Sequence, residues 1–297
     1  MIFEGVNSPV ITIMTDDGKI DYPNMGKHIN RLINAGLNGL LFFGSLGEFY
    51  GISLAEKKEF IDWVVKVVNK RTQVIIGIGD TSLDNVLDLA RYSEKAGVDA
   101  LNIVSTYYFG LNEQSTVSYF AKVAEAVKLP IMLYNFPDRT GNDLTPELVC
   151  ELAEKYPNII GIKDTVDNIS HTRRLCQKIK PIRPDFSILS GFDEYYLVNR
   201  ISGGDGVLCG LTNVIPEDFV QFHKAFEAKD FVTMEKMGKK ISYLMQLYQI
   251  TPLFIVAIKS AVKISSGLDM SLYTKAPASP LTKEQEEKIK TILLEAN

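Results

Sequence analysis

Lys163 directly follows the apolar run Ile159-Ile160-Gly161-Ile162. If that run is a strand, its side chains alternate between two faces, and Lys163 points into whatever the strand encloses. A buried amine has two uses. It can pair with a carboxylate such as Asp164 as part of the scaffold, or it can attack a ketone as a nucleophile. Attack requires the neutral amine, and an unperturbed lysine titrates near 10.4, so on the order of one molecule in a thousand is reactive at neutral pH. Burial lowers that value and raises the reactive fraction.

Other chemistry-bearing residues fall where strands are expected to end. Tyr134, Ser45 and Tyr108 carry hydroxyls that could pass a proton along as general acid and base, or simply bond backbone groups. Gly44-Ser45-Leu46-Gly47-Glu48 offers backbone N–H groups and a hydroxyl as a seat for a small anion, or only a tight turn, and Glu48 could orient that loop. Arg139 could grip a carboxylate with its fork or pair with Asp138. Asp193 and Glu194 could hold sugar hydroxyls or begin a helix and complement its dipole. His28, His171 and His223 fall within expected helices, so no histidine base and no metal site is expected.

Apolar, β-rich runs that could hold these residues recur at roughly thirty-residue intervals. They are Val10 to Met14, Gly39 to Phe43, Val74 to Ile78, Ala100 to Val104, Pro130 to Tyr134, Ile159 to Ile162, Phe186 to Leu189 and Gly206 to Cys209. Helical spacing lies between them, for example Ile61, Val64, Val65 and Val68 after Ser53, an expected N-cap with Glu56 three residues on. Ala35-Gly36-Leu37-Asn38-Gly39-Leu40 resembles Ala96-Gly97-Val98-Asp99-Ala100-Leu101, each ending a helix at glycine and entering a strand. Strands apolar on nearly every residue are buried on both faces, as in a parallel sheet under helices. Eight such units favour an α/β fold closed as a TIM (β/α)8 barrel, with the polar residues at the C-terminal strand ends. The competing open sheet would want a GxGxxG turn after the first strand, and none is there; Gly77, Gly79 and Asp80 follow the third. Helices are expected at Glu217 to Ala228, Phe231 to Tyr248, Pro252 to Ser265 and Thr282 to Glu295. The division this suggests is a catalytic barrel over 1–228 and a small C-terminal helical domain over 229–297.

Composition narrows the partners. With 297 residues, 46% hydrophobic and 23% charged, the chain can build a sizeable core. A net charge of −4 without a basic cluster argues against nucleic acid. No run approaches the roughly twenty apolar residues of a membrane span. Three scattered cysteines without a CxxC pair fit a reducing cytoplasm. A small-molecule substrate is the expected partner.

In chain order, GSLGE at Gly44, the Tyr107-Tyr108 pair, YNFPDRTG at Tyr134, GIKDT at Gly161, SGFDE at Ser190 and GGDGVLCGLTN at Gly203 resemble the dihydrodipicolinate synthase and N-acetylneuraminate lyase family of pyruvate-dependent Schiff-base aldolases. The resemblance implies that Lys163 forms the imine, Tyr134 donates and accepts the proton, and Ser45 with Tyr108 completes a relay, Tyr108 reaching into a neighbouring subunit. It also implies pyruvate carboxylate at Ser45 and the backbone of Leu46, Leu208 on the keto-acid pocket, and Gly191, Asp193 and Glu194 near substrate. A homotetramer built as a dimer of dimers is usual in the family. No cofactor is expected, because a protonated imine supplies the electrophile that a metal supplies in other aldolases.

Within the family the signatures point different ways. Arg139 matches the arginine with which dihydrodipicolinate synthases bind aspartate semialdehyde, but Leu46 stands where those synthases carry a second threonine. Phe192-Asp193-Glu194 looks like the sugar-binding segment of neuraminate lyases, which lack that arginine. YNFP, TGNDLTP, GIKDT and Pro277-Ala278-Ser279-Pro280-Leu281 together look most like the bacterial 2-keto-3-deoxygluconate aldolases, which commonly carry an apolar residue at the Arg139 position. The expectation is a lyase that cleaves or forms a 2-keto-3-deoxy sugar acid from pyruvate and an aldehyde. Dihydrodipicolinate synthase and N-acetylneuraminate lyase are the alternatives. A barrel that only binds a keto acid is a further one, disfavoured because a pure binder needs no proton relay.

Overall fold

The computed structural model describes residues 3–296. Its centre is a closed barrel of eight parallel strands: β1 (Gly5–Pro9), β2 (Gly39–Phe42), β3 (Gln73–Gly77), β4 (Ala100–Val104), β5 (Ile131–Asn135), β6 (Ile159–Asp164), β7 (Ser187–Ser190) and β8 (Gly206–Leu208), with β8 pairing back on β1. Around it run α1 (Tyr22–Ala35), α2 (Leu54–Val68), α3 (Leu83–Ala96), α4 (Glu113–Ala126), α5 (Pro137–Thr140), α6 (Pro146–Lys155), α7 (Ile169–Ile179), α8 (Tyr196–Ile201) and α9 (Pro216–Ala228). Three more helices follow: α10 (Phe231–Leu244), α11 (Ile255–Ser266) and α12 (Lys283–Glu295). Among the described residues, no helix is long and apolar enough to cross a membrane.

Local signals explain most of these elements. Ser53 and Glu56 form a reciprocal capping box that starts α2, whose Phe60, Ile61, Val64 and Val68 are buried, each worth about 1.5–3 kcal/mol. The repeated Ala-Gly motif ends α1 and α3 alike: Gly36 and Gly97 take left-handed conformations, with φ of 94° and 82°, that turn the chain into the next strand. Inside the barrel, Leu41, Ile75, Ala100, Met132, Leu189 and Leu208 meet around Phe3. Each comes from a different strand, and the two-residue period of β5 brings Tyr134, two beyond Met132, to the same inner face, paired in register with Lys163.

The first strand is not the apolar run Val10 to Met14 but the preceding Gly5–Pro9. Asn7 faces inward, its amide nitrogen donating to Glu4 O and Val207 O while its Oδ1 has no partner among the described residues, so polar residues occupy a strand that apolar content overlooks. Val10, Ile11, Ile13 and Met14 are buried all the same, in the connection towards α1. Their apolarity reports burial, not pairing. The C-terminal segment also departs from expectation. The helix from Phe231 stops at Leu244 and tightens into a 3-10 turn over Met245–Gln249, and α11 starts at Ile255 instead of Pro252. Proline disfavours the helical conformation in the residue before it, which breaks the run ahead of Pro252. In a 3-10 turn residues three apart lie on one face, and Met245 and Tyr248 both reach the barrel mouth.

One buried ion pair ties this helical segment to the barrel. Lys259 of α11 and Glu48 after β2 are both fully enclosed, with Nζ 2.5 Å from Oε1. Lys259 also donates to Tyr273 O at 2.7 Å, and Glu48 Oε2 accepts from Lys275 N at 2.6 Å. Burial pushes the Lys259 pKa below its ordinary value, against the opposing pull of Glu48. Lys259→Ala strands the Glu48 charge, so it is expected to cost about 3–5 kcal/mol in urea unfolding. A loss below about 1 kcal/mol would place the pair with weak surface contacts.

Candidate active site

At the C-terminal ends of the strands lies a cavity of about 270 Å³ with Lys163, Tyr134 and Ser45 in its wall. Lys163 is 5% exposed, and its Nζ lies 4.3 Å from the centroid of the Tyr134 ring. The Tyr134 hydroxyl is 3.3 Å from Ser45 Oγ, so amine, phenol and alcohol follow one another along one side of the cavity. The alternative scaffold pairing of Lys163 with Asp164 is not built: alternation turns Asp164 outward, where it accepts from Thr172 Oγ1 at 2.8 Å and contacts His171. Among the described residues Lys163 forms no ion pair. Gly191 makes room for it, since a Cβ there would lie 3.2 Å from Lys163 Cε and 1.8 Å from Thr165 Oγ1.

Other candidates are placed unevenly. Leu46 is buried on the cavity wall beside Ser45. Arg139 lines the same cavity, its guanidinium 5.8 Å from the Phe136 ring and 5.9 Å from the Phe254 ring, with no ion pair to Asp138. Asp193 is also on the wall, but Leu211 N and Tyr248 Oη already bond its two oxygens, at 2.7 and 2.8 Å. Burial raises its pKa. Glu194 is half-buried and off the wall, and Leu208 lies in the apolar cluster that fills the barrel. Tyr108 stands outside, 86% exposed, with φ of 90° and its ring edge-on to Phe109 at 4.9 Å. Within one chain, then, Lys163, Tyr134 and Ser45 converge and Tyr108 does not. The three histidines lie in α1, α7 and α9, away from the cavity.

Sequence reasoning passed over several wall residues. Thr165 carries a buried hydroxyl with no partner among the described residues; its signal was the two-residue step from Lys163 along β6. Met245, Tyr248 and Phe254 come from a segment that reads only as amphipathic helix. A second, more apolar cavity of about 210 Å³ shares Ser45, Tyr134, Phe136, Arg139 and Phe254 with the first and adds Phe49, Tyr50 and Tyr107.

The dihydrodipicolinate synthetase family matches this chain over residues 2–296. The Escherichia coli K12 protein named "Putative 2-dehydro-3-deoxy-D-gluconate aldolase YagE" is 37% identical over 292 residues, covering 98% of this chain and 96% of the relative. From the same strain, "Probable 2-dehydro-3-deoxy-D-pentonate aldolase YjhH" is 34% identical over 291 residues, 98% of this chain and 96% of its own length. Among solved structures, YagE in complex with pyruvate is similar with a TM-score of 0.97 at 36% identity, covering 100% of this chain and 99% of that one. A dihydrodipicolinate synthase crystal structure matches with a TM-score of 0.90 at 31% identity, over 99% of both chains.

Behind Lys163 the outward face of β6 carries a charge pair of its own. His171 Nδ1 lies 3.0 Å from Asp164 Oδ1, and Nε2 lies 3.6 Å from Asp143 Oδ1. Burial works against the imidazolium, but the hydrogen bond to Asp164 and the charges of Asp164 and Asp143 outweigh it and raise the His171 pKa. A raised folded-state value contributes stability that is fully present below the unfolded value of about 6.5 and is lost as pH rises through the folded one. The melting-temperature advantage of the unmodified chain over His171→Gln should therefore be widest in acid and narrow towards alkaline pH. A gap constant with pH would mean that no charge pair operates there.

Proposed function

This chain belongs to the dihydrodipicolinate synthetase family, and from that premise we propose that it is a carbon–carbon lyase which cleaves or forms a 2-keto-3-deoxy sugar acid through an imine between Lys163 and the keto carbon. The observation that carries this reading is the buried Lys163 amine, free of any carboxylate partner among the described residues and lying over the ring of Tyr134, whose hydroxyl is bonded to Ser45. The names of YagE and YjhH, at 37% and 34% identity, point to the sugar-acid branch.

In the cleavage direction the keto-acid carboxylate sits at Ser45 and the backbone of Leu46. The Lys163 nitrogen adds to C2, and the carbinolamine loses water with its proton supplied by Tyr134, leaving an iminium. Tyr134, as the phenolate, then takes the proton of the C4 hydroxyl. The C3–C4 bond breaks, its electron pair moves towards the iminium nitrogen, and an aldehyde leaves. The enamine that remains is protonated at C3 and hydrolysed to pyruvate and free Lys163. Ser45 passes the Tyr134 proton onward, and the Thr165 hydroxyl offers a partner for a substrate oxygen.

The 86% exposed Tyr108 and the aromatic cavity beside Ser45 support an assembly in which Tyr108 of one copy completes the relay of another, within a homotetramer made of two dimers. Residues 1–228 act as the catalytic barrel and 229–297 as its helical appendage. Three free thiols, Cys150, Cys176 and Cys209, support a cytoplasmic setting. A second reading, condensation of pyruvate with aspartate semialdehyde, is favoured by one observation: the Arg139 guanidinium on the cavity wall has no ion pair among the described residues and is ready for a carboxylate.

Borohydride reduction in the presence of pyruvate, followed by peptide mapping, is expected to place a pyruvyl adduct on the Lys163 peptide. A folded protein that gives no adduct would remove Lys163 as nucleophile. Tyr134→Phe should slow turnover by about 10²–10⁴-fold. Arg139→Ala should spare cleavage of 2-keto-3-deoxy sugar acids; loss of semialdehyde condensation alone would favour the second reading. Mixing Lys163→Ala with Tyr108→Phe chains should restore activity that neither has by itself, since the mixed assembly contains an intact site. No recovery, with mixed assemblies shown to form, would confine Tyr108 to its own chain.

A further inference from the structure

Asp193 is on the cavity wall, yet its two oxygens are engaged by protein donors on either side of it: Leu211 N from the turn after β8, and the Tyr248 hydroxyl from the 3-10 turn after α10. The same hydroxyl presses on that turn. A Cβ at Gly210 would fall 2.2 Å from Tyr248 Oη and 2.8 Å from Leu46 Cδ1, so Gly210 is wedged between the tyrosine and the wall of the carboxylate seat. The ring of Tyr248 meets Phe254 edge-on at 5.2 Å, and Phe254 underlies Arg139 at 5.9 Å. Contact therefore runs unbroken from the β8 turn, across Asp193 and Tyr248, to the arginine above β5.

We propose that Tyr248 is a positioning residue of the keto-acid seat: through Asp193 it fixes the Gly210-Leu211 turn against Leu46 and so sets the width of the space that receives pyruvate. This deepens the function proposed above and rests on it. Asp193 serves here as the joint between barrel and helices and not as a ligand for sugar hydroxyls. Removing the tyrosine oxygen leaves the buried carboxylate with only Leu211 N and the Cys209 thiol as donors, and the turn unsupported on one side.

The test is pyruvate binding to the full chain and to Tyr248→Phe, Asp193→Asn and the double variant, followed both by calorimetry and by borohydride trapping. Pyruvate has no hydroxyl, so any effect of Asp193→Asn on its binding cannot come from a lost sugar contact. Both single variants are expected to raise the half-saturating pyruvate concentration about tenfold or more. The limiting trapping rate should change less, and the double variant should be no worse than the poorer single one, because both remove the same support. Unchanged half-saturation in folded variants overturns the proposal, as does full additivity in the double variant. If Tyr248→Phe does not fold, Asp193→Asn, which keeps the side-chain shape, decides the question alone with the same probe. Failure of the unmodified chain to trap pyruvate would count against imine chemistry instead, and calorimetry would still report whether the seat depends on the pair.

Discussion

A lysine inside a barrel needs either a counter-charge or a reason to go without one, and the closure of this sheet decides which. Parallel pairing around the full circle fixes the alternation of every strand at once. Lys163 and Asp164 are adjacent in sequence and so must face opposite ways. The carboxylate goes outward to Thr172 and His171, while the amine goes inward to the Tyr134 ring. Separating the two by one peptide is what leaves the amine without that carboxylate as a partner. Gly191, just past β7, follows from the same geometry, for a Cβ there would collide with the Thr165 side chain at 1.8 Å and crowd the lysine stem at 3.2 Å.

The helices after the barrel are part of this arrangement. Glu48 closes the loop that carries Ser45 and Leu46, and it is held by Lys259 and by the backbone of Lys275. Asp193 and the turn after β8 are held by Tyr248. Two loops on different sides of the cavity thus take their positions from residues that follow the last strand. Both joints are buried and polar. Such joints are expensive to leave half-made, which favours a single arrangement over a range of near alternatives.

Much of this was legible in the sequence because it rests on period and punctuation. The βα repeat, the capping box at Ser53, the paired Gly36 and Gly97 caps and the inward direction of Lys163 all follow from local rules. Where reasoning failed, long-range burial overrode local signal. Val10 to Met14 looked like the first strand because it is apolar, whereas Asn7 and Ser8 occupy that strand with their polar groups buried. Met245, Tyr248 and Phe254 gave no sign of the cavity, since their types are ordinary and only the fold brings them there. Tyr108 was legible as a residue type and not as a position: its outward, left-handed backbone emerges only in three dimensions.

The path of the chain through Glu48 also bears on how the protein is made. Ser45 and Leu46 are synthesised well before the partners that fasten their loop, Lys259 and Lys275. Until they are made, the loop of Ser45 and Leu46 lacks its buried anchor. That joint is complete only when the later segment has folded against the barrel, so a chain cut before Lys259 would leave Glu48 without its counter-charge and the loop beside Lys163 without its anchor.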